Sequence, residues 1–274
     1  MNVTPGVFEL GRAVPVGSSV AVQVGDRVAS DTVIAIGHLD RRVLRLPPGD
    51  NFELLKKPGD PIKKGETLAV MEELLGLGLR ELVSPCDGLI ESVNPRRTGI
   101  VVTGSDREIR ALVPGLIQAL GPSEIRLSVT GHRLQGFFGF GQPASGELWM
   151  AGELYTASEV KRRLGPAVEG QVVLADSFVL PEVLPVLGRY RAVGLICGGL
   201  DFGPLWDLIS PAGPFPAGRG LPTLVVLGGF GPCRIGSEDR DILGRAEGKR
   251  VYVAGPTAGR LVFAGPPHPE VVVA

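Results

Sequence analysis

Nowhere in residues 1–150 do apolar residues keep the i, i+3, i+4, i+7 spacing for about ten residues, which confines this region to β structure. Short apolar runs occur instead: SVAVQV (19–24), TVIAIG (32–37), RVLRL (42–46), GLIESV (88–93) and GIVVTG (99–104). Gly, Pro and Asp separate them. Side chains alternate between the two faces of a strand, and those three residue types supply turn geometry, so the runs predict short strands joined by tight turns. The one helical candidate here is VMEELLG (70–76).

The region also repeats itself. VGDRVASDTVIA (24–35) aligns without gaps on PGDPIKKGETLA (58–69), an offset of 34, and GLIESV (88–93) matches GLIQAL (115–120), an offset of 27. Each copy opens its turn with Gly, where a positive φ carries no Cβ penalty. Matching turn–strand units predict similar hairpins packed in a pseudo-symmetric way.

From about residue 168 the pattern changes. GQVVLAD (170–176), AVGLICGG (192–199) and LPTLVVLGGFG (221–231) read as buried strands. Between and after them, SFVLPEVLPVLGRY (177–190), PLWDLIS (204–210) and SEDRDILGRAEG (237–248) read as helices, the first opened by Ser177 and bent or ended at Pro185, the last capped by Ser237. KRVYVAG (249–255) and GRLVFAG (259–265) finish as strands, and TASEVKRRLG (156–165) reads as a polar linking helix. Strands alternating with short helices imply an α/β layer with parallel pairs.

The expected fold class is therefore α+β with more than one domain. An all-β part covers 1–150, with a core at about 20–104; a linker covers 151–167; an α/β part of the swivelling or open-sheet kind covers 168–274.

Residues 56–93 resemble the biotinyl and lipoyl carrier domains and their barrel-sandwich hybrid relatives. Gly59, Asp60, Ile62, Gly65, Glu66 and Leu68 match the strand–turn–strand motif of that fold, and Ser84, Pro85, Gly88 and Ile90 match its return strand. Carriers present a lysine at the tip of the hairpin between these motifs, because its amine must be acylated. Here MEELLGLGLRELV (71–83) contains none, and its one basic residue, Arg80, cannot form the amide. Lys63 and Lys64 lie in the preceding turn, so a carrier would need its modification there or on Lys56 or Lys57. Relatives without the lysine occur in efflux adaptors and electron-transport complexes, where the fold is a docking module, and the resemblance implies that role. The α/β part loosely resembles the mobile domain of phosphoenolpyruvate-utilising enzymes but lacks its phosphorylatable histidine.

Three groups of residues are candidates for function. Gly198 and Gly199, then Gly228, Gly229 and Gly231, stand at strand ends just before helices, where an α/β sheet offers free N–H groups to an anion; equally, such glycines permit close packing. Neither junction is a dinucleotide or Walker fingerprint. Phe137, Phe138, Phe140 and Trp149 crowd the glycine-rich stretch 134–152, either as internal packing or as an exposed partner surface. Glu238, Asp239 and Asp241 gather at a helix start, where acids also complement the helix dipole. Cys197 and Cys233 lie near the glycine junctions without a histidine in reach, and read as small hydrophobes. His38, His132 and His268 lack metal-ligand spacing, with HPE (268–270) as a tail turn.

A formal net charge of −1, from 28 basic and 29 acidic side chains, argues against nucleic acid as partner. No n-region and h-region open the chain and no long apolar run crosses a bilayer, so neither a signal peptide nor membrane insertion is expected. Three scattered cysteines fit a reducing, cytoplasmic setting. No cofactor is implied. The reading is a non-catalytic scaffold or adaptor that meets a protein partner or itself; the alternative is a small-molecule or anion-binding protein, or an enzyme, that uses the Gly-Gly junctions.

Overall fold

The computed structural model describes residues 5–15, 18–37, 41–45, 52–72, 79–93, 99–104, 107–210, 212–215, 218, 220–255 and 270–274. The protein is mostly β, with short helices and one large mixed sheet. Predicted runs become strands Val33–Gly37, Arg41–Arg45, Gly88–Val93 and Gly99–Gly104, while SVAVQV keeps only Ser19–Val20. The predicted helix at 70–76 is corrected at its start: Thr67–Glu72 is a strand, paired on both sides, and residues 73–76 lie outside the described ones.

The repeat is physical. In one copy Gln23 N–H donates to Asp26 Oδ2 at 2.7 Å, and in the other Lys57 N–H donates to Asp60 Oδ2 at 2.7 Å. Gly25 and Gly59 take φ of 96° and 93°. Their amides donate to Ile117 O and Ile90 O, whose own amides return bonds to Asp26 O and Asp60 O. Thus the offset of 34 and the offset of 27 describe one structural unit: the turn and its receiving strand recur together. The copies are nested, since Pro61–Ile62 pairs with Gly88 and Leu89, whereas Arg27–Val28 pairs with Leu116 and Gly115 farther along the chain. Equivalent positions are buried in both, Ile34 with Leu68, Val28 with Ile62, and Ile117 with Ile90.

The large sheet runs, edge to edge, Phe138–Phe140, Thr223–Phe230, Gly194–Leu200, Val172–Val179, Ala144–Gly152, Arg250–Ala254, Glu270–Val273, Glu124–Gln135, Gly115–Leu120 and Arg27–Val28. Gly6–Ala13 adds to it by pairing with Glu124–Gln135. The strands Ala144–Gly152, Val172–Val179, Gly194–Leu200 and Thr223–Phe230 are parallel neighbours, as expected of buried runs joined through helices. The sheet is continuous across residue 150, so the stretch 134–152 supplies strands to the parallel set.

The two faces of the parallel set have separate cores. Val173, Ala175, Leu195, Cys197, Leu224 and Val226 face Leu184, Leu187, Leu205 and Ile209 of helices Val183–Arg189 and Phe202–Ile209. Val172, Leu174, Ile196 and Val225 face Leu243 of helix Ser237–Gly244, together with Val251, Val253 and Val271. Pro185 neither bends nor ends its helix. It stands in the first turn, where its missing N–H has no intrahelical acceptor to lose. Ser177 is not a cap, because the strand continues to Val179, and Gly236 rather than Ser237 is the N-cap of the last helix. The polar stretch 156–165 forms Ala157–Glu159, closed by a Thr156–Glu159 capping box, and continues as a π-helix whose Val160 and Leu164 enter the core. Glu270 opens a strand rather than ending a turn. GRLVFAG (259–265), His38 and His268 lie outside the described residues. No described helix is long and apolar enough to cross a membrane.

Candidate functional site

Three parallel strands end together at Val179, Leu200 and Phe230, and the segment after each strand decides what that edge can bind. After Phe230 the chain must reach a helix on the opposite face. It does so by lying across the sheet over the paired glycines. A Cβ at Gly198 would stand 2.7 Å from Cys233 O, one at Gly228 would stand 2.6 Å from Gly198 O, and one at Gly199 would nearly coincide with Gly231 O. Gly231 N–H donates to Leu200 O, and Ile235 N–H to Asp176 O, which stitches the segment down. Gly229 and Gly231 take positive φ of 148° and 86°, which lets the chain double back. The space above Gly198, Gly199 and Gly228 therefore holds the chain's own backbone, while only the Cys233 thiol approaches Gly229, and the first three glycines serve close packing rather than an open cradle.

The thiols follow the same division. Cys197 points into the helix-covered core, and full burial pushes its pKa far above the ordinary thiol value, so it carries no nucleophilic thiolate. Cys233 packs over the glycines, and its thiol donates to Phe230 O at 3.6 Å.

Beside this sealed stretch the edge is open and aromatic. Phe138 arrives on the antiparallel edge strand Phe138–Phe140 opposite Val226, and Phe137, in the bend just before it, donates its N–H to Val226 O. Alternation sends neighbours opposite ways: Phe138 and Phe140 are 0% and 4% exposed, while Phe137 is 51% exposed. Phe230, at the strand end, meets Phe137 edge-on with ring centroids 5.4 Å apart, Phe138 at 5.2 Å and Phe202 at 4.9 Å. Phe202 in turn lies 6.1 Å from Trp206, which is 41% exposed. Five rings thus form one stack that is buried at its base and open at Phe137 and Trp206, with separations and tilts in the attractive range for aromatic pairs. Of the four aromatics singled out in the sequence, Phe137 and Phe138 belong to this stack. Phe140 is core, and Trp149, 37% exposed, stands in register with Val173 on Ala144–Gly152, at the other side of the parallel set from Phe138–Phe140. Sequence reasoning missed Phe202, Trp206 and Phe230. The available signal was aromatic–Gly placed just past two strand ends, in LDFGPLW and GGFG.

The acidic group at the last helix is split. Glu238 and Asp241 line a cavity of about 420 Å³ shared with His132, Arg245 and Lys249, while burial and the neighbouring Glu238 raise the Asp239 pKa. No cluster of three potential metal ligands occurs among the described residues. In the repeat turn, Lys63 N–H donates to Glu66 Oε2 and Lys64 N–H to Asp87 Oδ1, while Lys56 Nζ pairs with Glu66 at 2.6 Å. The hairpin tip at 73–78 lies outside the described residues. No protein-family profile matches the chain, and no curated protein or solved structure matches it significantly.

Proposed function

We propose that the chain is a non-catalytic scaffold that docks through the aromatic stack at the edge of its parallel strands, with a second copy of itself as the occupant. The observation that carries this reading is the pair Phe137 and Trp206, held half-exposed against the half-buried rings of Phe230 and Phe202, which rest in turn on the fully buried Phe138. Single exposed apolar residues are ordinary, but large aromatics fixed in place by packing lose little side-chain entropy on contact and commonly anchor interfaces. A net charge of −1 puts almost no long-range repulsion between copies. Burial of Cys197 removes that thiol from chemistry, which favours a binding role over a catalytic one. In this reading the region at about 20–104 is a lysine-less module of the barrel-sandwich hybrid kind, supported by its duplicated turns, and 168–274 is an open-sheet α/β unit. The few, unpaired cysteines favour a reducing, cytoplasmic setting.

Trp206 is the natural reporter, since the chain has two tryptophans. In a Trp149→Phe background, raising the protein concentration should shift Trp206 emission to shorter wavelength as the ring leaves water. Emission that stays constant with concentration, at a wavelength typical of a wet indole, would sink the proposal.

A further inference from the structure

Strand Gly6–Ala13 alternates inward and outward, and its inward row reads Leu10, then Arg12, followed beyond the strand by Val14. A guanidinium therefore occupies a position where the pattern calls for a core residue. Arg12 is 6% exposed, and burial lowers its pKa from the ordinary arginine value. Its Nε and Nη2 donate to the Arg110 carbonyl at 3.2 and 3.0 Å, and its guanidinium lies 6.0 Å from the centre of the Tyr252 ring. Among the described residues these partners are a carbonyl and a π face, none of them a carboxylate, and they do not exhaust the N–H donors of the fork. Glu270, whose charge also acts on Tyr252, is committed to Arg133 at 2.6 Å.

A charge buried without a counter-ion is costly unless something outside the chain completes it. Here Arg12 lines a cavity of about 710 Å³ that lies where strand Arg107–Arg110 approaches the Gln142–Pro143 turn of the large sheet. Arg107, Glu108 and Arg110 line it too, and Glu108 is neutralised by Arg110 at 2.6 Å. Arg107 makes no ion pair among the described residues. Among the described residues the cavity wall thus carries three guanidinium groups against one carboxylate, in a chain whose overall charge is close to zero.

We infer that this cavity is a binding site for a small phosphate-bearing molecule, whose phosphoryl group bridges the spare donors of Arg12 and the guanidinium of Arg107. Planar guanidinium forks match the oxygens of phosphate, and a buried fork strengthens the charge-assisted bond by excluding water. The volume exceeds what inorganic phosphate fills and falls within the range of small-molecule pockets, so the ligand carries more than the phosphoryl group. The site is independent of the aromatic stack: either can fail without the other.

Isothermal titration calorimetry at constant ionic strength tests this, with inorganic phosphate and glycerol 2-phosphate as the probes. Saturable binding to the full chain is expected, tighter for the monoester. Arg107→Ala, on an exposed side chain, should keep the fold and weaken binding by roughly tenfold or more, the worth of one charge-assisted hydrogen bond. Arg107→Lys should restore part of the loss, and Arg245→Ala in the other cavity should change nothing. Arg12→Lys serves as a second probe where it folds, and should weaken binding while keeping the charge. Absence of saturable heat with both probes, unchanged affinity in Arg107→Ala, or an equal loss in Arg245→Ala would each overturn the assignment.

Discussion

Two halves of the same strand edge meet opposite fates. At the paired glycines, the carboxyl ends of Gly194–Leu200 and Thr223–Phe230 are roofed by residues 231–235, laid so close over Gly198, Gly199 and Gly228 that no Cβ fits there. Beside them, around Phe137, Phe230, Phe202 and Trp206, the edge ends in rings of which two, Phe137 and Trp206, stay half-exposed. Glycine lets the chain satisfy its own edge, whereas bulky rings past a strand end hold neighbouring segments off and leave an apolar face. The difference separates a closed edge from an open one: the glycine junctions are covered by the chain's own backbone, and the aromatic stack, where docking is proposed, keeps two rings exposed.

The sharpest way to break this comparison is to force side chains beneath the roof. Gly199→Val should cost more than about 4 kcal/mol in denaturant unfolding, because a Cβ there meets Gly231 O and Cys233 N with no room to shift. A mild effect would mean the roof is loose, and would reopen the glycine edge as a ligand site. Next in size, Phe138→Ala removes the fully buried ring at the base of the stack and should cost about 3–5 kcal/mol. It should also free Phe137 and Trp206 from their fixed geometry, seen as lost near-ultraviolet dichroism. Smallest is Phe137→Ser on the open face, expected to change stability by about 1 kcal/mol or less, since the ring gives up one edge-on contact. A large loss of stability there would make Phe137 a core residue and remove it from the docking surface.

Much of the β architecture was legible because it is written locally. Gly25 with Asp26, and Gly59 with Asp60, encode their turns within four residues, so the alignment of the two segments found a duplication that the hydrogen bonds reproduce. That equivalence has its own test: Gly25→Ala and Gly59→Ala should cost similar amounts, about 1–2 kcal/mol each, since both hold positive φ in open space. A stability difference well beyond that range, read from parallel urea melts, would separate the copies. The acids of Ser237–Gly244 likewise marked a helix start.

What stayed hidden depends on distant pairing. The stack needs Phe138 opposite Val226, a register no local pattern discloses, and so Phe202, Trp206 and Phe230 did not stand out. Phe137 and Phe138 read alike in the sequence, and only the strand's direction of alternation tells the wet ring from the dry one. Strand Gly6–Ala13 escaped because a guanidinium fills an inward slot, which breaks the apolar alternation at the very residue that lines the larger cavity. The continuity of the sheet through 124–152 was also unreadable, because Glu124–Gln135 looks like any amphipathic strand until its partners on both sides of residue 150 are known.

Sedimentation velocity over a range of concentrations, on the unmodified chain beside Phe137→Ser, tests the central claim most directly. The account predicts that the unmodified protein moves from monomer to dimer at micromolar concentration, and that the variant needs roughly tenfold more protein or more to do so, the loss of one interface anchor. A chain that sediments as a monomer throughout, or a variant that associates as readily as the parent, would contradict it.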